Sequence, residues 1–283
     1  MLRPYRAPAL CYHPGIPCPE EAPAVESDEV LVSRDGPILT LTFNRPEARN
    51  AMTWGMYERL YEACEEVDQD DSIRVMVLRG AGDKAFVAGT DISQFKAFKT
   101  PEDGLAYERG NERRSGRLAL VRKPVIAQIQ GYAVGGGFGI VAACDLRIAT
   151  PDARFGVPIA RTLGNCLSME SYARFMDLLG PSRLKELIFT ARLMPAEEAH
   201  QAGFVHEILP PDEIETRVRQ LAEQIADYAP ITLWVTKEAI RRIQEQRKPT
   251  GGEDLVVTTY TSADFHEGVS AFLEKRKPRW TGR

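Results

Sequence analysis

The 283-residue sequence has no long hydrophobic run and no excess of basic charge. No stretch reaches the roughly 18 apolar residues of a transmembrane helix, and the amino terminus lacks the apolar core of a signal peptide. The 36 basic residues are outnumbered by 40 acidic ones, for a net charge of -4, which argues against a nucleic-acid-binding surface. We therefore expect a soluble, cytoplasmic protein with neither a membrane span nor a nucleic-acid partner.

The sequence also lacks the cysteine pattern of a disulfide framework. It has five cysteines, and an odd count with scattered spacing does not pair up. Cys64 and Cys144 lie in apolar, helix-like surroundings, which predicts core positions. Cys11 and Cys18 flank His13, but this cluster has too few ligands for a metal site. We expect no bound metal.

Proline and glycine mark where the ordered chain begins. Residues 1–27 contain six prolines and no hydrophobic periodicity, which predicts an extended or disordered tail. The hairpin signal Asp35-Gly36 follows and separates two short strand patterns. The ordered part of the protein is therefore expected to start near residue 28.

Strand and helix patterns then alternate along the chain. Buried or alternating apolar runs predict strands at 29–34, 37–44, 73–80, 124–131 and 145–150. Apolar residues at helical spacing predict helices at 53–69 and 102–121, with a further short helix opened by GGGFGIVAAC. This alternation predicts an α/β core.

The chain is predicted to be helical after about residue 165. The candidate helices are 168–179, 182–190, 195–202, 211–228, 230–246 and 262–275. One of them carries an amphipathic stripe formed by Ile214, Val218, Leu221 and Ile225. Such a stripe needs a surface to cover it, either the chain's own core or a neighbouring subunit.

Two glycine-rich loops stand where a buried strand meets a helix start, at residues 84–91 (KAFVAGTD) and 131–138 (GYAVGGGF). Ligands bind at this edge of an open α/β sheet, and glycine lets backbone N–H groups approach them closely. Two facing loops could offer two N–H donors to one oxygen, as an oxyanion hole does. Three glycines in a row are also common in flexible turns. A nucleotide-phosphate site is disfavoured because the second loop has neither GxxxxGK[ST] nor GxGxxG spacing.

Several motifs, taken together and in order, resemble the crotonase, or enoyl-CoA hydratase/isomerase, superfamily. They are NRPEARNAMT (44–53), AFVAGTDI (85–92), KPVIAQIQGYAVGGGFGIVAACDLRIAT (123–150), ARFGVP (153–158) and SADFHEGVSAFLEKRKPRWTG (262–282). The resemblance implies an α/β spiral of strand–strand–helix turns over residues 28–200. It also implies a helical region over residues 201–283 that forms a homotrimer or a dimer of trimers.

The resemblance further implies an acyl-CoA substrate, whose coenzyme A is part of the substrate, and no separate cofactor. The reaction step shared by that family forms an enolate-like anion, which two backbone N–H groups hold. Motif matching places these N–H groups at Ala88 and Gly136.

The same motif matching assigns the substrate-binding residues. Segment 88–91, which contributes Gly89, Thr90 and Asp91, and the basic residues Arg49 and Lys84 are expected near the CoA moiety.

The sequence departs from the family where the hydratases carry two glutamates. Gly139 and Ile159 stand at these positions, and neither can transfer a proton. Glu112 and Arg161 are the candidates for the acyl pocket instead, although Arg161 could equally pair with a surface acid. Glu112 shares a helix face with Glu108 at i, i+4 spacing, although such a pair more often forms a solvated face.

These observations leave three alternatives for function. The first is an enoyl-CoA hydratase or isomerase. The second is another crotonase-type reaction, such as decarboxylation, thioester hydrolysis or a double-bond shift. The third is a catalytically silent acyl-CoA-binding protein.

Weak hydration of crotonyl-CoA is the expected consequence of the two replacements. Loss of even one acid–base group lowers turnover by about 10²-fold or more, while an oxyanion hole built from backbone amides survives. Steady-state hydration rates, together with calorimetric binding of the thioester, check this. Turnover on the order of hundreds per second would show that another residue supplies the proton chemistry.

Overall fold

The computed structural model describes residues 29–247 and 251–283. The predicted amino-terminal tail at 1–27 lies outside these residues, as do Cys11, His13 and Cys18.

Ten strands in the described part of the chain form two sheets. They are β1 (Val30–Asp35), β2 (Ile38–Phe43), β3 (Val75–Gly80), β4 (Ala85–Val87), β5 (Val125–Ile129), β6 (Tyr132–Val134), β7 (Leu146–Ala149), β8 (Arg154–Gly156), β9 (Met194–Pro195) and β10 (Glu207–Ile208). The first sheet has the order β1-β2-β3-β5-β7-β10, and only the β1–β2 hairpin is antiparallel. The second has the order β4-β6-β8-β9, with β9 antiparallel to β8.

Helices connect these strands and cover the sheets. They are α1 (Trp54–Gln69), α2 (Pro101–Ala119), α3 (Gly136–Ala143), α4 (Ile159–Thr162), α5 (Met169–Thr190), α6 (Ala196–Gln201), α7 (Ile214–Ala226), α8 (Pro230–Glu245), α9 (Glu253–Tyr260) and α10 (Ala263–Leu273). The order β3-β4-α2, then β5-β6-α3, repeats one strand from each sheet followed by a helix. The α/β spiral of strand–strand–helix turns is therefore confirmed. Strands β4, β6 and β8 escaped prediction because each is only three residues long.

Local sequence signals account for several element boundaries. Gly36 adopts φ +56°, which the tight β1–β2 turn requires. The Thr53 hydroxyl accepts the Met56 N–H at 3.2 Å and caps α1. Gly180, with φ 75° and ψ 156°, interrupts α5 just before Pro181, which explains why two helices were predicted there.

The amphipathic stripe on α7 covers the first sheet of the same chain. Ile214, Val218 and Ile225 are buried, and Leu221 packs half-buried beside them. Their partners come from four strands and are Ile38, Val75, Val77, Ile126 and Ile148. Of the two surfaces that could cover this stripe, the chain's own sheet is therefore the one that does.

The last two helices pack against other helices of the chain. α9 packs against α2, and α10 packs against the 3₁₀ helix Ile92–Ala97. A separate apolar cluster joins them and consists of Phe95, Leu163, Val256, Tyr260, Phe265 and Val269. The carboxyl-terminal region therefore supplies walls to the core rather than standing apart from it. None of the helices described is long and apolar enough to cross a membrane.

Candidate active site

The carboxyl ends of three parallel strands meet at one cavity of about 530 Å³. β4 leads into Ala88, β6 leads into Gly135, and β8 leads into Val157, and all three residues line the cavity. Because β4, β6 and β8 pair in parallel, their following loops emerge at the same sheet edge. The fold thus brings together the two glycine loops that the sequence separates.

The loop after β4 directs the backbone of Thr90 into this cavity. Met52 donates its N–H to Gly89 O and accepts the N–H of Asp91 through its own carbonyl, each at 2.9 Å. In such a parallel bridge the residue between these two partners turns its own N–H to the opposite side. The Thr90 N–H therefore faces away from Met52, and it has no hydrogen-bond acceptor among the residues described.

Ala88 does not have a free N–H. Its amide donates to Arg49 O at 3.0 Å, so a ligand oxygen would have to break a backbone hydrogen bond to reach it. The structure contradicts the prediction of Ala88 as an oxyanion donor. The available donor lies two residues later, at Thr90.

Gly136 supplies the second free N–H. It is the first residue of α3, where helix geometry leaves the amide without an intrahelical partner and with partial positive charge. A Cβ on Gly136 would lie 3.6 Å from Thr90 N, so the two amides are neighbours. This arrangement can hold one anionic oxygen between them.

A buried hydroxyl group stands beside the two amides. Tyr57 Oη lies 2.9 Å from Thr90 Oγ1, and a Cβ on Gly136 would lie only 2.3 Å from it. Tyr107 Oη extends the chain of hydroxyls at 3.3 Å from Thr90 Oγ1. Burial raises the pKa of Tyr57, although the Thr90 hydrogen bond opposes the rise. The phenol therefore stays protonated and able to donate.

Not all of the residues predicted to contact the CoA moiety line the cavity. Arg49, Gly89, Thr90 and Asp91 line it. Lys84 is exposed and is not among the lining residues, so its role at CoA stays a prediction.

The Asp91 carboxylate is already occupied by its own loop. It accepts hydrogen bonds from Ser93 N at 3.1 Å and Ser93 Oγ at 2.7 Å, and it pairs with Arg45 at 3.3 Å. Burial raises the pKa of Asp91, but these hydrogen bonds and Arg45 outweigh burial and hold it below its ordinary value. Asp91 is therefore an anion that fixes the loop.

The two positions that resemblance associates with glutamates do face the cavity. Gly139 and Ile159 both line it, and a Cβ on Gly139 would meet nothing within 4 Å. Arg161 does not line the cavity: α4 buries Ile159 and leaves Arg161 exposed. The acyl-pocket prediction for Arg161 is wrong for this reason.

Glu108, rather than Glu112, reaches the cavity from α2. Its side chain is 6% exposed and lines the same cavity as Thr90 and Gly136. Glu112 lies one turn further along α2, is half-buried and does not line the cavity. The acyl-pocket prediction for Glu112 is therefore wrong, and the solvated-face interpretation of Glu108 is wrong as well.

Tyr260 of α9 holds the Glu108 carboxyl group. The Tyr260 hydroxyl donates to Glu108 Oε1 at 2.6 Å, and the Ser168 N–H acts on the same carboxyl. Burial raises the pKa of Glu108 to about 7, against an ordinary value of 4.5, although both hydrogen bonds oppose this rise. The group is thus poised to gain or lose a proton near neutral pH.

One sequence signal could have indicated that Glu108 is buried. Gly104 lies four residues earlier in α2, and a glycine inside a helix can have a packing reason. A Cβ there would lie 2.6 Å from Tyr260 Cβ, so Gly104 lets α9 pack onto α2 at the level of Glu108.

The cavity also contains a cysteine thiol, and the described residues were searched for a metal site. Burial raises the pKa of Cys166, which lines the cavity, to about 11, so its thiol stays protonated and is a poor nucleophile. Within residues 29–247 and 251–283, no group of three or more His, Cys, Asp or Glu is arranged to hold a metal ion.

Comparison with known proteins identifies relatives of this chain. The enoyl-CoA hydratase/isomerase family model matches residues 33–283. The short-chain-enoyl-CoA hydratase of Clostridium acetobutylicum is 34% identical over 256 residues, which covers 89% of this chain and 97% of the relative. The 2,3-dehydroadipyl-CoA hydratase of Escherichia coli is 34% identical over 260 residues, which covers 90% of this chain and 99% of the relative.

Solved structures share the fold. A methylmalonyl-CoA decarboxylase in complex with 2-nitronate-propionyl-CoA superposes with a TM-score of 0.83 at 28% identity, over 90% of this chain and 99% of that one. An enoyl-CoA hydratase/carnithine racemase from Magnetospirillum magneticum superposes with a TM-score of 0.74 at 33% identity, over 91% of this chain and 97% of that one.

The raised pKa of Glu108 predicts a pH-dependent stability. The buried neutral acid stabilises the fold fully below its unfolded-state pKa of 4.5, and this contribution is lost as pH rises through about 7. The pKa difference corresponds to on the order of 3 kcal/mol. Glu108→Gln carries no ionisable group there. The free energy of unfolding of Glu108→Gln, measured in urea, should therefore rise relative to that of wild type between about pH 4.5 and pH 8. A difference in unfolding free energy that does not change with pH would contradict the raised pKa of Glu108.

Proposed function

The chain belongs to the enoyl-CoA hydratase/isomerase family, and we propose that it binds an acyl-CoA thioester and stabilises an oxyanion on the thioester carbonyl. The N–H groups of Thr90 and Gly136 are the donors. Coenzyme A arrives as part of the substrate, and the reaction takes no separate cofactor.

The observation that carries this proposal is the pair of unengaged amides facing one cavity. Both the Thr90 and Gly136 N–H groups lack an acceptor within the described part of the chain, and both residues line the cavity. Because an enolate oxygen carries more negative charge than the ground-state carbonyl, fixed donors bind it more strongly. Each donor of this kind contributes about 3 kcal/mol to transition-state stabilisation.

Arg49 is the proposed contact for the anionic part of CoA. It is exposed at the cavity, and its guanidinium group lies 5.7 Å from the centroid of the Tyr132 ring. A guanidinium group held at an aromatic face suits a phosphate, and a phosphate cannot enter the apolar interior.

The chain shares the fold of its hydratase relatives, but it lacks the acid–base residues that hydration usually needs. Hydration adds a hydroxyl to one carbon and a proton to its neighbour, which in the usual arrangement takes two acid–base groups. Gly139 and Ile159 supply neither. We therefore propose an enzyme of this family whose chemistry is proton transfer next to the stabilised oxyanion rather than efficient hydration.

Assembly into a homotrimer or a dimer of trimers is also proposed. α8 buries none of its side chains in the chain and exposes Ile231, Val235, Ile240 and Ile243. Exposed large apolar side chains on one helix fit a subunit interface. Sedimentation equilibrium should give the mass of three or six chains, and a monomer at micromolar concentration would contradict this.

The oxyanion hole can be tested without turnover. Butyryl-CoA labelled with ¹³C at the thioester carbonyl should show a lowered carbonyl stretching frequency when bound, because two N–H donors polarise it. Replacing residue 90 by the corresponding α-hydroxy acid exchanges its N–H for an ester oxygen. This should remove much of the infrared shift and lower catalysis by about 10²–10³-fold.

The same backbone replacement at residue 88 is the matched control. It removes the hydrogen bond to Arg49 O and should leave the infrared shift in place. Loss of the shift at residue 88 but not at residue 90 would restore Ala88 as the donor. Absence of any shift in the wild-type protein would refute the proposed function.

A further inference from the structure

We propose that Gly139 determines specificity at this site, and that the chain prefers acyl-CoA thioesters with an apolar branch on C2 or C3 of the acyl group. Because Gly139 has no side chain, it leaves a space in the cavity wall next to the oxyanion-binding amides, and the branch fills that space. This inference rests on the proposed function, which places the thioester oxygen at the N–H groups of Thr90 and Gly136.

The backbone conformation at Gly139 does not require a glycine. Gly139 is not among the residues with positive φ, and its N–H donates to Gly135 O at 3.1 Å, as in a regular helical turn. A glycine inside a helix also destabilises the helix relative to alanine, because glycine loses more conformational freedom on folding. Glycine at this position therefore lowers stability without a gain in backbone geometry.

Close packing does not require a glycine at position 139 either. A Cβ on Gly137 would lie 2.0 Å from Val87 O, and a Cβ on Gly136 would lie 2.3 Å from Tyr57 Oη. Those two glycines let α3 approach its neighbours closely. A Cβ on Gly139, in contrast, would meet no atom of the described residues within 4 Å. Packing therefore explains Gly136 and Gly137 but leaves Gly139 unexplained.

The open space beside Gly139 is part of the cavity. Gly139 lines the cavity and is half-buried, whereas its neighbours Phe138 and Ile140 are buried. Gly136 is half-buried as well and lines the same cavity. Residues three apart lie on one face of a helix, so Gly136 and Gly139 together form the face of α3 that a ligand can reach.

Helix geometry puts this space close to the thioester carbonyl. Gly139 follows Gly136 by three residues in α3, which is about 4.5 Å along the helix axis. Cα–Cβ bonds tilt toward the amino terminus of a helix, so a side chain at position 139 would lean toward the Gly136 N–H. The acyl carbons nearest the oxygen held there are C2 and C3. A branch on either carbon reaches the space, whereas a branch at the far end of a longer chain lies beyond it.

The surrounding wall favours an apolar branch. Ile140, Val157, Ile159 and Phe175 line the cavity with Gly139, and their side chains have no hydrogen-bonding group. A polar branch would lose its hydrogen bonds to water without gaining new ones. A methyl group that moves from water into such surroundings should raise the affinity about fourfold.

Matched pairs of saturated thioesters test the preference without turnover. Isobutyryl-CoA differs from propionyl-CoA by one methyl group on C2, and isovaleryl-CoA differs from butyryl-CoA by one methyl group on C3. Calorimetry on the wild-type protein should show that the branched member of at least one pair binds about fourfold more tightly than its unbranched partner. The pair that shows the preference identifies the branched carbon.

Gly139→Val fills the space and should reverse this preference. The branch then overfills the wall, which should weaken binding of the preferred branched thioester by about tenfold or more and change its unbranched partner much less. Gly139→Ala should move the affinity ratio in the same direction by a smaller amount. Its Cβ meets no described atom within 4 Å and alanine favours the helix, so this variant should fold at least as stably as wild type.

Gly55→Val is the matched control. Gly55 is an exposed residue on the first turn of α1, and its Cβ would meet only Thr53 Oγ1, at 3.8 Å. This variant should keep the wild-type affinity ratios. A third pair, 5-methylhexanoyl-CoA and hexanoyl-CoA, carries its branch at the far end of the chain, and Gly139→Val should leave the ratio within that pair unchanged.

The carbonyl stretch of labelled butyryl-CoA distinguishes failure of this inference from failure of the proposed function. Gly139→Ala and Gly139→Val should both keep the lowered carbonyl frequency, which also shows that they are folded. Equal affinities within both near-carbonyl pairs in wild type would overturn the specificity role of Gly139 and leave the oxyanion hole intact. A branch preference that survives in both Gly139 variants would do the same. Absence of the carbonyl shift in wild type would refute the proposed function instead.

Discussion

The parallel pairing of three short strands is the constraint from which the site follows. β6 pairs with β4 on one side and with β8 on the other, in register at Tyr132 with Ala85 and with Arg154. Parallel strands end at the same edge, so their three loops reach one cavity although they are separated in sequence by the returning strands of the larger sheet and by α2. Without that alignment the N–H groups of Thr90 and Gly136 could not both bind the same ligand oxygen.

The glycines of the second loop meet three different steric demands. Gly135 takes φ +57°. A Cβ on Gly136 would strike Tyr57 Oη, and a Cβ on Gly137 would lie 2.0 Å from Val87 O. Gly131, at the start of the same loop, would bring a Cβ to 2.1 Å from Lys84 O. The run of glycines therefore serves close packing of α3 onto β4, and the alternative of a flexible turn does not describe it.

The sequence alone was sufficient for β1, β2, β3, β5 and β7 of the larger sheet, because buried strands have strong periodicity, but not for the two-residue strand β10. It indicated that segment 84–91 reaches the ligand site, but it took Ala85–Val87 for loop rather than strand and chose the wrong amide. Which N–H is free depends on hydrogen bonds to Arg49 and Met52, some forty residues upstream. Local sequence patterns do not specify such a long-range pairing register. The Glu108 carboxyl was missed for a related reason: its burial depends on α9, an element that local patterns did not reveal.

Tyr260 and Glu108 are 152 residues apart along the chain, and this separation has a consequence for synthesis. Both glycine loops and the carboxyl of α2 leave the ribosome long before α9 and α10 exist. Until those helices dock, the cavity lacks the Phe272 wall and the acid lacks the phenol that orients it. A nascent chain therefore carries both glycine loops and the Glu108 carboxyl before it carries the residues that complete the cavity.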